Sequence, residues 1–149
     1  MARAAAVERL RRLLPPVWLG VLLCVAFVAA PAPFALLAPA DAGRVNGRVF
    51  LQEAWISVAL ALLLWLFERA RAQRAAASGK GSMLSTEMIL LLGTLLCTLG
   101  GYFAVQTQLP AARAGLTMLS FAQLHGASMA LFGIKLLLVA ALAWRSTAA

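Results

Sequence analysis

Apolar residues run along this chain in four long blocks separated by short polar breaks: Val17 to Leu37, Val49 to Phe67, Glu87 to Val105 and Phe121 to Trp144. Each block is close to the roughly 20 residues that a helix needs to cross a hydrocarbon core about 30 Å thick. Polar and apolar positions do not alternate at a period of two, so strands and a membrane barrel are poor alternatives. Leucine and alanine, both good helix formers, dominate throughout. Pro31 and Pro33 fall late in the first block and are expected to end or kink its helix near the outer surface, because proline lacks a backbone donor. The pattern predicts an all-α fold, a single integral membrane domain over residues 1–149. Short loops make successive helices neighbours, so the expected architecture is a four-helix transmembrane bundle with antiparallel, up-down topology.

Composition agrees. Hydrophobic residues make up 63% of the chain and charged residues 12%, against about 25% charged in a typical soluble domain. The first block is preceded by Arg9, Arg11 and Arg12 and followed by small residues from Ala38 to Ala40, as in a cleaved signal. Its apolar stretch exceeds the usual signal core of about 7–15 residues, and it is read as a retained anchor. The net charge of +8 would point to nucleic acid in a soluble protein. Here the basic residues flank apolar spans, so the expected partner is a bilayer with anionic headgroups and not nucleic acid. Arg3, Arg9, Arg11 and Arg12 precede the first span; Arg69, Arg71, Arg74 and Lys80 fall in the linker 68–86; Arg145 ends the fourth span. They outnumber Arg44, Arg48 and Arg113 on the other side, which places both termini in the cytoplasm and the protein in a bacterial inner membrane. The Ala, Ser, Gly and Lys of 75–82 suit a mobile linker. Cys24 and Cys97 lie deep within spans and are read as small buried hydrophobes.

Glycines mark where helices approach closely. Gly93 and Gly100 are a heptad apart in the third span, Gly126 and Gly133 in the fourth, and Gly43 and Gly47 precede the second. Close contact between small residues is what holds membrane helices together.

Two ionisable residues interrupt the fourth block. His125, the only histidine, sits near its start, and Lys135 lies further along. Ionisable side chains within a span are costly and mark candidate sites. Asp41 is a candidate N-cap for the second helix, with Arg44 and Arg48 four apart on one face as headgroup anchors. Glu53 follows about one turn into the second span. Counted from the apolar blocks, Arg48, Glu53, Gln106 and His125 converge at one outer depth. There Glu53 can accept the ring N–H of His125, either as a clip between helices or as a site that passes a proton or holds a cation. Lys135 is about 21 Å along its helix from Phe121 and shares a face with Ser128. It either snorkels to the cytoplasmic interface or stands as a buried ammonium on a polar path. Glu87 suits the first turn of the third helix.

A metal site has few ligands to draw on. His125 and Met129 are four apart, Met118 lies in the preceding loop, and sulfur with imidazole suits Cu(I). One histidine excludes a bis-histidine haem and leaves a His–Met pair as the haem alternative. No cofactor is expected, with copper or haem as the alternative. Phosphate loops, nucleophile elbows and paired catalytic carboxylates are missing from the sequence, so a non-enzymatic role is expected. A metal site or an ion- or proton-coupled transport path would call for a homo-oligomer, and a scaffold role for an unidentified protein partner.

The motif Phe121-x-x-Leu-His125-Gly126-x-Ser128 resembles the last-helix signature of the DUF4149 family, bacterial relatives of transmembrane protein 205. The run Gly43-Arg-Val-Asn-Gly47-Arg-Val-Phe50, with Glu53-Ala-Trp55, is similar to the start of that family's second helix. Gln108-Leu-Pro110-Ala-Ala-Arg113 resembles its short motif after the third helix, and Trp18-Leu-Gly20 with Val28-Ala-Ala-Pro31 its first helix. The resemblance extends over nearly the whole chain. It implies a four-helix membrane protein of unassigned biochemical activity, with His125, Gly126 and Ser128 as the carried-over motif and Glu53 and Arg48 beside it. A looser similarity to CopD-like membrane proteins implies copper or haem handling as the alternative.

Overall fold

The computed structural model describes residues 2–79 and 82–148. Lys80 lies outside them, as does the side chain of Arg3. All regular structure among the described residues is helical: α1 (Ala2–Cys24), α2 (Ala32–Leu36), α3 (Pro39–Ala77), α4 (Thr86–Thr98), α5 (Leu109–Arg113) and α6 (Phe121–Thr147). Short helices prolong long ones, so four helical stretches are long and apolar enough to cross a membrane: Ala5–Leu36, Pro39–Ala77, Thr86–Arg113 and Phe121–Thr147. Four such stretches in one short chain make this an integral membrane protein.

The helices reach well beyond the apolar blocks. Pro39 opens α3 at its first turn, where its missing N–H costs nothing. The N-cap is Ala38, and Asp41 lies inside the first turn, where it pairs with Arg44 instead of capping. At its other end α3 continues past Phe67 to Ala77, so helix fills much of the expected 68–86 linker. Gly79 then turns the chain with a φ of 71°, a conformation that glycine adopts without strain. Ser85 caps α4 by accepting from the Met88 N–H at 3.3 Å. Ser120 caps α6 through a capping box, in which Gln123 Oε1 accepts from the Ser120 N–H at 2.9 Å.

The proline break is repaired by the neighbouring helix. Ahead of Pro31, α1 loosens into a π-helical turn over Val25–Ala29. The Ala30 carbonyl is then capped by Asn46 Nδ2 of α3 at 2.9 Å, which satisfies a backbone group that proline would strand. The second half of the third span loosens in the same way. Residues Leu99–Val105 are π-helical and Gln106–Gln108 form a 3₁₀ turn before α5.

Packing order sets everything that follows. α6 packs against α1 and α4, and α3 packs against the same two, so α3 and α6 face each other across the bundle with little direct backbone approach. Trp18 and Leu22 of α1, Leu64 of α3, Leu91 of α4, and Val139 and Leu142 of α6 form the core. Gly93 and Gly100 of the third span each receive a leucine of α6: a Cβ on Gly93 would lie 2.9 Å from Leu138 Cδ1, and one on Gly100 would lie 3.8 Å from Leu131 Cδ1. Gly126 and Gly133 open onto empty space instead. Exposed leucines and phenylalanines such as Phe27, Leu66, Leu96 and Leu137 face outward, as they do where lipid takes the place of water.

Candidate functional site

A buried ion pair crosses the centre of the bundle. Lys135 Nζ of α6 lies 2.7 and 2.8 Å from the two carboxylate oxygens of Glu53 on α3. Both side chains are 3% exposed. Ser57, one turn past Glu53 on the same face, donates its hydroxyl to Glu53 Oε1. Trp18 of α1 donates its indole N–H to Ser57 Oγ at 3.0 Å. The Phe132 ring, one turn before Lys135, centres 4.7 Å from Nζ, within cation–π range. The fourth partner, α4, turns Thr94 and Thr98 inward, and both hydroxyls donate to carbonyls of their own helix, at 2.7 and 2.8 Å. Trp18, Glu53, Ser57 and Lys135 thus tie α1, α3 and α6 into one polar layer.

Depth explains why these two charges meet. Glu53 lies fourteen residues past Pro39, and Lys135 fourteen past Phe121. At 1.5 Å per residue both are about 21 Å from the first residues of their helices. A lone carboxylate or ammonium there is costly, but together they are neutral, and hydroxyl and indole donors complete the network.

This arrangement separates residues that the apolar pattern placed together. Glu53 does not meet His125, because α3 begins ten residues before its apolar block and carries Glu53 well past the helix end where His125 sits. His125 is exposed on α6, its ring stacked on Phe121 with centroids 5.5 Å apart and planes 8° from parallel. The Arg113 guanidinium lies over that same Phe121 ring at 4.5 Å. A Cβ on Gly43 would fall 2.6 Å from Arg113 Nη1, so this glycine makes room for the arginine. Lys135 is buried and does not snorkel. Gln106 and Ser128 are half-buried, and Arg48 is exposed. Met129 is exposed on α6 and Met118 fully exposed in the loop before it. Among the described residues, no three of His, Cys, Asp or Glu gather into a metal cage. Cys97 is buried, Cys24 is exposed, and both are free.

A second charged assembly, overlooked in the sequence, encircles one end of the bundle. Arg11 of α1 bonds Glu68 of α3 at 2.9 Å. Arg71, also on α3, holds Glu68 at 2.9 Å and reaches Glu87 of α4 at 3.3 Å. Glu87 takes Arg145 of α6 at 2.8 Å. Ser146 Oγ donates to the Arg12 carbonyl at 3.3 Å, which returns the circuit to α1, where Glu8 holds both Arg11 and Arg12 at 2.8 Å. The signal was present in the i, i+3 and i, i+4 spacings of Glu8 with Arg11 and Arg12 and of Glu68 with Arg71. Reading the arginines as lipid anchors passed over their acidic neighbours. With Asp41 on Arg44, all five acidic side chains of the chain are paired.

Against known proteins, the chain matches one family, described as a domain of unknown function (DUF4149), over residues 13–116. That stretch takes in Trp18, Glu53 and Ser57 and stops short of the His125 motif and Lys135. Searches of curated proteins and of solved structures found no match.

Proposed function

The chain belongs to the DUF4149 family, and from that premise we propose that it is a non-enzymatic protein of the bacterial inner membrane whose buried polar layer dictates how its four helices assemble. The Glu53–Lys135 pair carries this reading. It joins the two helices that face each other across the bundle, so only one rotation and one depth of each satisfies both charges. A polar contact that is costly to leave unmade specifies register better than apolar packing, which lipid can replace. The gathering of Arg11, Arg71 and Arg145 at one end supports an up-down arrangement with both termini cytoplasmic. On the opposite side His125, Gln106, Ser128 and Arg48 are the candidate contacts for a small ligand or cation.

Charge reversal tests the reading. Glu53→Lys and Lys135→Glu each place two like charges in the layer, and each should leave a protease-sensitive protein that fails to form a compact bundle in mild detergent. The double exchange should recover a folded bundle. Single reversals as stable as the parent would remove the layer's claim. A second reading draws on the buried ammonium: ion-coupled movement through an oligomer. Proteoliposome flux unaltered by Lys135→Leu would dismiss it.

A further inference from the structure

Between Arg48 and Arg69, the outward face of α3 exposes Gln52, Trp55, Ala59, Leu62 and Leu66. Their spacing alternates between three and four residues, the a/d repeat by which one helix packs along another. Phe103 of the third span holds the Trp55 indole edge-on at 5.4 Å and still leaves that residue 58% exposed. The apolar members of this stripe need only lipid. Gln52 needs more. It lies eight residues past Arg44 and sixteen before Glu68, about 12 and 24 Å along the helix, which puts it within a hydrocarbon core about 30 Å thick. Its neighbours Asn46 and Glu53 are engaged with Ala30 and Lys135, whereas the exposed Gln52 carboxamide bonds to none of the described residues. Exposed positions in the middle of α4 and α6, such as Leu92, Leu96, Ile134 and Leu137, are apolar. A carboxamide facing lipid leaves two N–H donors and an acceptor unmet, and that is costly.

We propose that α3 pairs with α3 of a second copy in a parallel two-fold dimer, with the two Gln52 carboxamides bonded to each other across the axis. A carboxamide is self-complementary: each can donate one N–H to the other's oxygen, which an isologous contact requires. Copies that enter the membrane in the same orientation bring equal residues to the same depth, so Gln52 meets Gln52 without any shift of register. A single polar residue at an a position of an apolar seam is also the device that fixes register and copy number in paired helices. Trp55, Ala59, Leu62 and Leu66 supply the packing, and Arg48 and Arg69 bound the seam. The seam lies on the outward face of α3 and does not depend on the Glu53–Lys135 layer.

Energy transfer between labelled full-length copies in liposomes, diluted stepwise with lipid, tests it. The parent should dimerise, and Gln52→Leu should weaken the dimer about tenfold, the worth of two hydrogen bonds between helices in lipid. Gln52→Asn, which keeps the amide, should lose less. Because Gln52 has no bond within its own copy to lose, Gln52→Leu should unfold at the parent's temperature once both are diluted to monomers, which separates loss of the dimer from loss of the fold. Gly133→Leu, on an open face of α6, should leave the dimer intact. Cysteine capture in native membranes locates the seam independently. In a Cys24→Ser/Cys97→Ala background, Ala59→Cys should form a disulfide between copies under mild oxidation, and Leu137→Cys on α6 should not. A parent that stays monomeric, or a Gln52→Leu dimer as tight as the parent's, overturns the proposal. So does a Gly133→Leu loss equal to that of Gln52→Leu, or capture through Leu137→Cys as complete as through Ala59→Cys.

Discussion

Glu53 and Glu68 are two carboxylates of the same helix, fifteen residues apart, each 3% exposed. Glu68 sits between two arginines, and each of those arginines holds a second glutamate, so its charge is shared around a circuit. Glu53 has a single lysine, and that lysine has no other acid. About 22 Å of helix separates them, enough to put one near the headgroups if the other is near the bilayer centre. At the end of the bundle, partly exposed arginines and redundant partners make each bond replaceable. At the centre nothing substitutes for either partner. Similar burial thus hides a difference in redundancy, and redundancy decides how much each residue matters.

The sharpest way to break this contrast is to remove one central charge. Lys135→Met strands Glu53 and should cost about 3–5 kcal/mol of stability, read by thermal unfolding in a fixed detergent. Adding Glu53→Gln should recover most of that loss, because an uncharged layer has nothing left to strand. Glu68→Gln should cost less, about 2 kcal/mol, since Arg11 keeps Glu8 and Arg71 keeps Glu87. A Glu68→Gln loss equal to that of Lys135→Met would erase the distinction between the layers. Gly101→Ala should follow at about 1 kcal/mol, because the new Cβ would stand 3.2 Å from Leu131 Cβ. Gly133→Ala, which meets open space, should be neutral or slightly stabilising by helix propensity. Arg12→Gln should likewise cost little, no more than about 0.5 kcal/mol. Its effect should fade as salt rises from about 0.05 to 0.5 M, while the Lys135→Met loss should not.

The four spans were legible because apolar blocks near membrane thickness have few alternative structures. The start of the second helix ahead of its apolar run was legible too, from Asp41 as a candidate N-cap, and the helix begins two residues earlier, at Pro39. Depth, however, was counted from Val49, ten residues into that helix. That offset is why Glu53 was matched with His125 at the rim instead of with Lys135 at the centre: depth was counted from the wrong origin. Lys135 itself stood out as an anomaly, but its partner depends on α3 and α6 facing each other across the bundle, and helix order along the chain does not reveal that. Half of the belt was readable from local spacing, in Glu8 with its two arginines and in Glu68 with Arg71. The contacts of Arg11 with Glu68 and of Arg145 with Glu87 span 57 and 58 residues and follow only once the helices are placed side by side.

The separation of 82 residues from Glu53 to Lys135 also measures time. A ribosome making about 5–20 residues each second delivers the acidic half of the pair several seconds before the basic half. Through that interval the second span must hold an uncompensated carboxylate, by staying shallow or by resting against the insertion machinery. Only when the last helix arrives can the second one settle to its final depth. In this protein the membrane therefore receives a provisional structure first, and the fourth helix completes the insertion of the second.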